Sequence, residues 1–152
     1  MIFSKFKNTR IRVAAVIVED GKILLIAHRK KRSVYWLLPG GGVDFGESLK
    51  EALQRELKEE LNINVDVRDI AFVSDSIDPD NERHIVNICF FCMRRSGKLE
   101  LGRDKRLYDY GFFSPNELNS IIVFPPFKEK LKKLCAGKDT SHTYIGKKWM
   151  NL

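Results

Sequence analysis

The sequence predicts an α/β (α+β) fold in which a mixed β-sheet is sandwiched between helices. Two observations lead there. Apolar, partly β-branched runs come before, between and after the helical segments, without a regular strand–helix alternation. One segment, 47–61, has the length, caps and apolar spacing of an amphipathic helix. The 152 residues contain no internal repeat and no linker, so one domain spanning 1–152 is expected, ending in a basic helix and tail.

Each element has its own reason. Residues 11–18, IRVAAVIV, and 23–28, ILLIAH, are two apolar runs around Asp20-Gly21, which reads as a hairpin. Residues 29–34, RKKRSV, form a basic loop, and Trp36-Leu37-Leu38 an extended piece ended by Pro39 and three glycines. Helix 47–61 follows, with Ser48 and Glu51 at capping-box spacing and Asn62 suited to a left-handed end. Residues 63–73 alternate as a strand, 74–84 form a polar loop around Pro79, and 85–93, IVNICFFCM, read as a buried strand. A basic turn region, 94–105, leads to a strand at 107–113. A short helix starts at 114–118, and the last helix covers about 127–135. The tail 136–152 has weak periodicity and is expected to be ordered by docking Tyr144, Ile145 and Trp149.

Composition narrows the class. The chain is 43% hydrophobic and 31% charged, which fits neither a disordered nor a membrane protein. Its apolar runs are too short to span a bilayer. MIFSKFKNTR lacks the apolar core of a secretory signal, and three cysteines without framework spacing suit a reducing cytoplasm. Cys89 and Cys92 have CxxC spacing, but in a strand they face opposite sides, so packing is the expected role. The net charge of +7 comes from the termini: residues 13–120 hold 16 basic and 18 acidic residues. Solubility is the preferred explanation over attraction to a polyanion.

The helix 47–61 carries chemistry. At about 100° per residue, Glu56, Glu59 and Glu60 share a face that overlaps the stripe of Leu49, Ala52, Leu53 and Leu57. Glu47, Glu51 and Lys58 fall on the opposite, solvated side. Carboxylates crowded on an inward edge repel one another unless a cation sits among them. Hard oxygen ligands suit Mg²⁺ or Mn²⁺. Arg55 lies beside Glu59 and is placed to orient a carboxylate. Gly40, Gly41 and Gly42 let a ligand approach the backbone closely, at the entry to a helix N-terminus where phosphates bind readily.

The run Gly41, Glu47, Arg55-Glu56-Leu57, Glu59-Glu60 and Ile63 resembles the Nudix box, with Asn62 where the family has glycine. WLLPGG before it and FFSPNEL at 112–118 are similar to the family's flanks. The resemblance implies a Nudix-type fold and Mg²⁺- or Mn²⁺-dependent hydrolysis of a nucleoside diphosphate linked to another group. By the same resemblance Glu56, Glu59 and Glu60 match the metal-binding carboxylates and the Gly41 carbonyl a backbone metal contact. Arg55 and Glu47, with Gly42, match the set that steadies loop and helix, and Glu56 matches a base used by some members. Many relatives have a further metal-binding Glu before FFS; this chain has Lys105 and Arg106, leaving Glu100, Asp104 and Asp109 as substitutes.

Substrate choice lies outside the box. ADP-ribose-type members resemble one another in having a proline about 16 residues after it, where this chain has Pro79. Arg29 matches a phosphate-contacting arginine of relatives, and Tyr35 is placed to stack on a base. The expected substrate is therefore ADP-ribose or a nucleotide sugar. A nucleoside triphosphate is the second choice, and a non-catalytic module that binds nucleotides or RNA the competing class. The expected partner is a nucleotide, not a membrane or a nucleic acid, and a homodimer is compatible with the sequence.

Overall fold

The computed structural model describes residues 7–137 and 142–152. Twelve elements follow one another: β1 (Arg10–Val16), β2 (Val18–Glu19), β3 (Lys22–Lys30), β4 (Ser33–Leu37), β5 (Gly40–Gly42), α1 (Leu49–Leu61), β6 (Asn64–Ile77), β7 (His84–Ser96), β8 (Leu107–Phe113), a 3₁₀ turn (Glu117–Ser120), α2 (Lys128–Cys135) and β9 (Tyr144–Lys147). They form two sheets. The first has the order β5-β1-β7-β6-β9, with β1 parallel to β7 and β9 parallel to β6, the other neighbours being antiparallel. In the second, β3 is central, with β8 on one side and β2 and β4 on the other.

Side chains alternate across these strands, and both faces are buried. Val13, Ala15, Ile17, Leu24 and Ile26 pack with Ala52, Leu53, Leu57 and Leu61 of α1. Ala14, Val16, Ile23 and Leu25 pack on the other face with Leu131, Leu134 and Cys135 of α2. That is the expected mixed sheet between helices, and it explains why 11–18 and 23–28 read as continuous apolar runs. Cys89 and Cys92 fall in opposite cores, as their spacing requires. All three cysteines are free and buried.

Several expectations are corrected. The Asp20-Gly21 turn exists, with both residues at positive φ, but the hairpin covers only β2 and the start of β3. β1 leaves it after Val16 and joins the other sheet, where a parallel β7 offers a seven-residue ladder. The basic loop 29–34 shrinks to a tight turn, because β3 and β4 pair as far as Lys30 and Ser33. β6 runs on through Ile77 against β7, so the polar loop is 78–83. The tail contributes a strand, β9, and Trp149 packs edge-on against Phe124 at 5.6 Å. No helix among the described residues is long and apolar enough to cross a membrane.

Candidate active site

The site begins at the N-terminus of α1. Ser48 accepts from the Glu51 N–H (3.1 Å) and the Glu51 carboxylate accepts from the Ser48 N–H (2.9 Å), a closed capping box. At the other end Asn62 takes the left-handed conformation (φ 57°). With four buried apolar residues facing the core, the rotation of α1 is set, and with it the direction of its acids.

Arg55 joins the helix to the loop before it. It donates to both oxygens of Glu47 (2.7 and 2.8 Å), to the Gly42 carbonyl (3.1 Å), to Glu56 (2.9 Å) and to Glu59 (3.3 Å). This grip holds the Glu47 carboxyl down at about 2, with the Arg55 hydrogen bond as the main cause. The solvated-face reading of Glu47 is thus overturned: it lies before the N-cap, where helical angles do not apply, and its side chain is only 21% exposed.

The three acids of the box differ in burial. Glu56 is recessed (17% exposed), whereas Glu59 stands out at 59%. Glu60 is partly buried and accepts from the Gly40 N–H at 2.7 Å. Burial pushes its carboxyl up to about 8, against the pull of Arg12 and the Gly40 N–H. Gly41 is tied to this geometry, since a Cβ there would overlap the Glu56 carboxylate. The loop after β7 is pressed onto the end of α1 as well. The Gly102 N–H donates to the Glu60 carbonyl (2.9 Å), and a Cβ at Gly102 would overlap the Glu59 carbonyl. That contact brings Glu100 and Asp104 to the rim, whereas Asp109 stays outside it. The Asp104 carboxyl is held at about 2 by hydrogen bonds from Arg106.

Among the described residues no three acidic, His or Cys side chains stand close enough together to form a ready metal cage. The cause is visible: Glu56 and Glu59 are turned onto Arg55, and Glu60 onto the Gly40 N–H. The donor set nevertheless fits a hard cation. Three carboxyl groups lie within about a turn of α1, with the Glu56 carboxyl against Gly41 and Glu60 accepting from the Gly40 N–H, an all-oxygen set of the kind such ions take.

Glu47, Glu56, Glu59 and Glu60 line a cleft of about 1250 Å³. Arg12, Arg103, Arg106, His28, Tyr35 and Phe124 also line it, as do Asn87 and Ser76. Tyr35 is thus among the lining residues. Arg29 and Pro79 do not line the cleft; the Arg29 guanidinium lies over the Tyr108 ring instead, 4.2 Å from its centroid. Arg12, Ser76 and Asn87 escaped sequence reading. The signal for the last was one polar residue inside IVNICFFCM.

A site of this kind belongs to a hydrolase acting on the phosphoric anhydrides of nucleotide derivatives. Comparison with known proteins agrees. The NUDIX domain family is matched by residues 8–135, most of the chain, and the protein belongs to the Nudix family. It is 35% identical over 116 residues to an ADP-ribose pyrophosphatase of Methanocaldococcus jannaschii, an alignment spanning 74% of this chain and 66% of that one. It is 31% identical over 121 residues to the nucleoside triphosphatase NudI of Escherichia coli, spanning 72% and 84%. Among solved structures, a MutT Nudix hydrolase from Burkholderia pseudomallei superposes with a TM-score of 0.71 at 30% identity, covering 88% of this chain and 99% of that one. The E. coli ORF135 protein superposes with 0.72 at 27% identity, covering 88% and 96%.

Proposed function

We propose that the protein hydrolyses the pyrophosphate bond of a nucleoside diphosphate linked to another group, with ADP-ribose as the favoured substrate and Mg²⁺ as the metal. The observation that carries this reading is the Arg55 brace, which holds Glu56 and Glu59 beside a glycine loop in the cleft. The relative named as an ADP-ribose pyrophosphatase supports the choice of substrate. The proline at 79 adds no geometric support, because it stands away from the cleft.

Glu56, Glu59 and Glu60, with the Gly41 carbonyl, would hold the ion. Once bound, a divalent cation neutralises the pyrophosphate oxygens and lowers the pKa of a bound water. The chain's own groups do the rest. Arg55 and Glu47 keep the loop seated on α1, so that the carboxylates and the Gly41 carbonyl stay in fixed relation. Glu56 is the candidate to take the proton of the attacking water. Arg12 and Arg106 supply positive charge along the cleft for the phosphates, where preorganised charge is worth more than in water. Tyr35 and Phe124, packed edge-to-face at 5.8 Å, supply aromatic surface for a base.

The relative named as a nucleoside triphosphatase favours a second reading, cleavage of nucleoside triphosphates. The intact carboxylate set speaks against a module that only binds. The test is AMP release from ADP-ribose, compared with turnover of nucleoside triphosphates, with Mg²⁺ and with a chelator. Glu60→Gln should keep the melting temperature and lose about 10²–10³-fold in kcat, the cost of deleting one charge-stabilising group. Near-normal turnover of that variant at saturating Mg²⁺ would sink the metal assignment. A higher kcat/KM on triphosphates would transfer the proposal to the second reading.

A further inference from the structure

Strands β5, β1 and β7 lie side by side, and each contributes residues to the cleft. Gly42 pairs with Arg12, and Arg12 with Asn87. Asn87 therefore stands two inter-strand steps, about 10 Å, from the glycine loop. It is only 2% exposed, and Ser76 on the neighbouring β6 only 1%. One amide N–H of Asn87 donates to Ser76 Oγ at 2.9 Å. An asparagine amide has two donors and two acceptor positions, and among the described residues this amide has no other partner. Buried amides are nearly always paired, so the exception asks for a cause. No enclosed side-chain nitrogen or oxygen among the described residues lacks a partner. The Asn87 carbonyl does lack one, so it is open to the cleft that Asn87 lines.

What remains on Asn87 is one N–H donor and the carbonyl acceptor. That pair is complementary to adenine, whose exocyclic amine donates and whose neighbouring ring nitrogen accepts. The N7/O6 edge of guanine offers two acceptors and fits poorly, whereas cytosine also carries an amine beside a ring acceptor. With a diphosphate on the glycine loop, the two-strand separation leaves room for a ribose between phosphate and base.

We propose that Asn87, held by Ser76, reads the base, and that it favours a base with an exocyclic amine beside a ring acceptor, adenine over guanine and uracil. The choice of base is then made on the sheet and not in the turn near Arg29 or the loop around Pro79. The proposal rests on the reading of the substrate as an adenine nucleotide derivative.

The experiment measures kcat and KM for ADP-ribose and for GDP-, CDP- and UDP-linked sugars, with the wild type, Asn87→Ala, Asn87→Asp and Ser76→Ala. Melting curves show that each variant is folded. The wild type should prefer adenine to guanine and uracil. Asn87→Ala should raise KM for the adenine substrate about 10- to 100-fold and change the guanine and uracil substrates far less, because a site built to hydrogen-bond one group penalises its loss. Asn87→Asp, nearly the same shape but without the donor, should do the same, and it carries the test if Asn87→Ala does not fold. Ser76→Ala should have a smaller effect of the same sign. An equal loss on all four bases, or an unchanged ranking in a folded variant, overturns the proposal. If the wild type fails on ADP-ribose, the functional reading falls separately. The base ranking is then measured on ATP, GTP, CTP and UTP, and a ranking that ignores Asn87 overturns this proposal by itself.

Discussion

At the scale of single residues, His28 shows how the cleft sets charge. Burial, followed by the positive charges of Arg106 and Arg12, lowers its pKa to about 4. Its ring lies edge-on to Tyr35 at 5.7 Å, and the neutral form is the one that this setting tolerates. The unfolded chain binds a proton at this residue near 6.5 and the folded chain only near 4. Between those values the unfolded state holds more protons, so stability falls as pH drops from 6.5 towards 4 and is unaffected by this group above 6.5. His28→Gln should flatten that limb of the stability profile, measured as urea midpoints at pH 7 and pH 5. An NMR titration that found His28 ionising near 6.5 would contradict the assignment. Residues also mark where sequence reasoning loses its hold. Glu56, Glu59 and Glu60 were legible because their spacing conflicts with an ordinary solvated helix. Asn87 was not, because its meaning depends on strands β1 and β6, far away in the chain.

Among the elements, α1 was the most legible. Its apolar stripe, capping box and left-handed end are all local, and the structure places them at Leu49–Leu61, Ser48–Glu51 and Asn62. Its coupling to the glycine loop depends on Arg55, and this can be tested. Lysine keeps the charge but has no planar fork to hold both Glu47 oxygens, the Gly42 carbonyl and Glu56 at once. Arg55→Lys should leave the melting temperature within a few degrees and lower kcat about 10- to 100-fold, as for groups that orient a metal's ligands. The required Mg²⁺ concentration should rise with it. A variant with normal kcat and normal Mg²⁺ requirement would show that the brace does not position the carboxylates. The strand boundaries were harder to read. β2, β6 and the β3–β4 turn each departed from expectation because pairing partners, not propensity, decide where a ladder stops.

For the molecule as a whole, the layers followed from sequence because both faces of the central strands are buried. Continuous apolar runs then signal a sheet covered on both sides. What sequence could not supply was the division into two sheets. Val13–Val18 is one uninterrupted apolar run, yet β1 ends at Val16 and β2 joins the other sheet. Neither could the run show that residues as distant as Arg12, Glu60, Asn87 and Phe124 line one cleft. Register across β1 and β7 sets Arg12 beside Asn87, while Glu60 arrives on α1 and Phe124 through its N–H to the Trp36 carbonyl, all of them long-range contacts.

The five-stranded sheet is bounded by its two shortest strands, β5 with three residues and β9 with four, while β6 and β7 inside it have 14 and 13. An exposed row of backbone donors and acceptors on a long strand invites a second copy to pair with it. β9 occupies that row on β6 from Val73 to Asp75, tied down by the Thr143 and Gly146 carbonyls and the Lys148 N–H. The tail is therefore expected to cover this part of the edge against a second copy. A chain ending at residue 142 should elute as larger species as its concentration rises, under conditions where the full chain keeps one apparent mass. If the shortened chain behaves like the full one at every concentration, the β6 edge is not adhesive and the tail has no such protective effect.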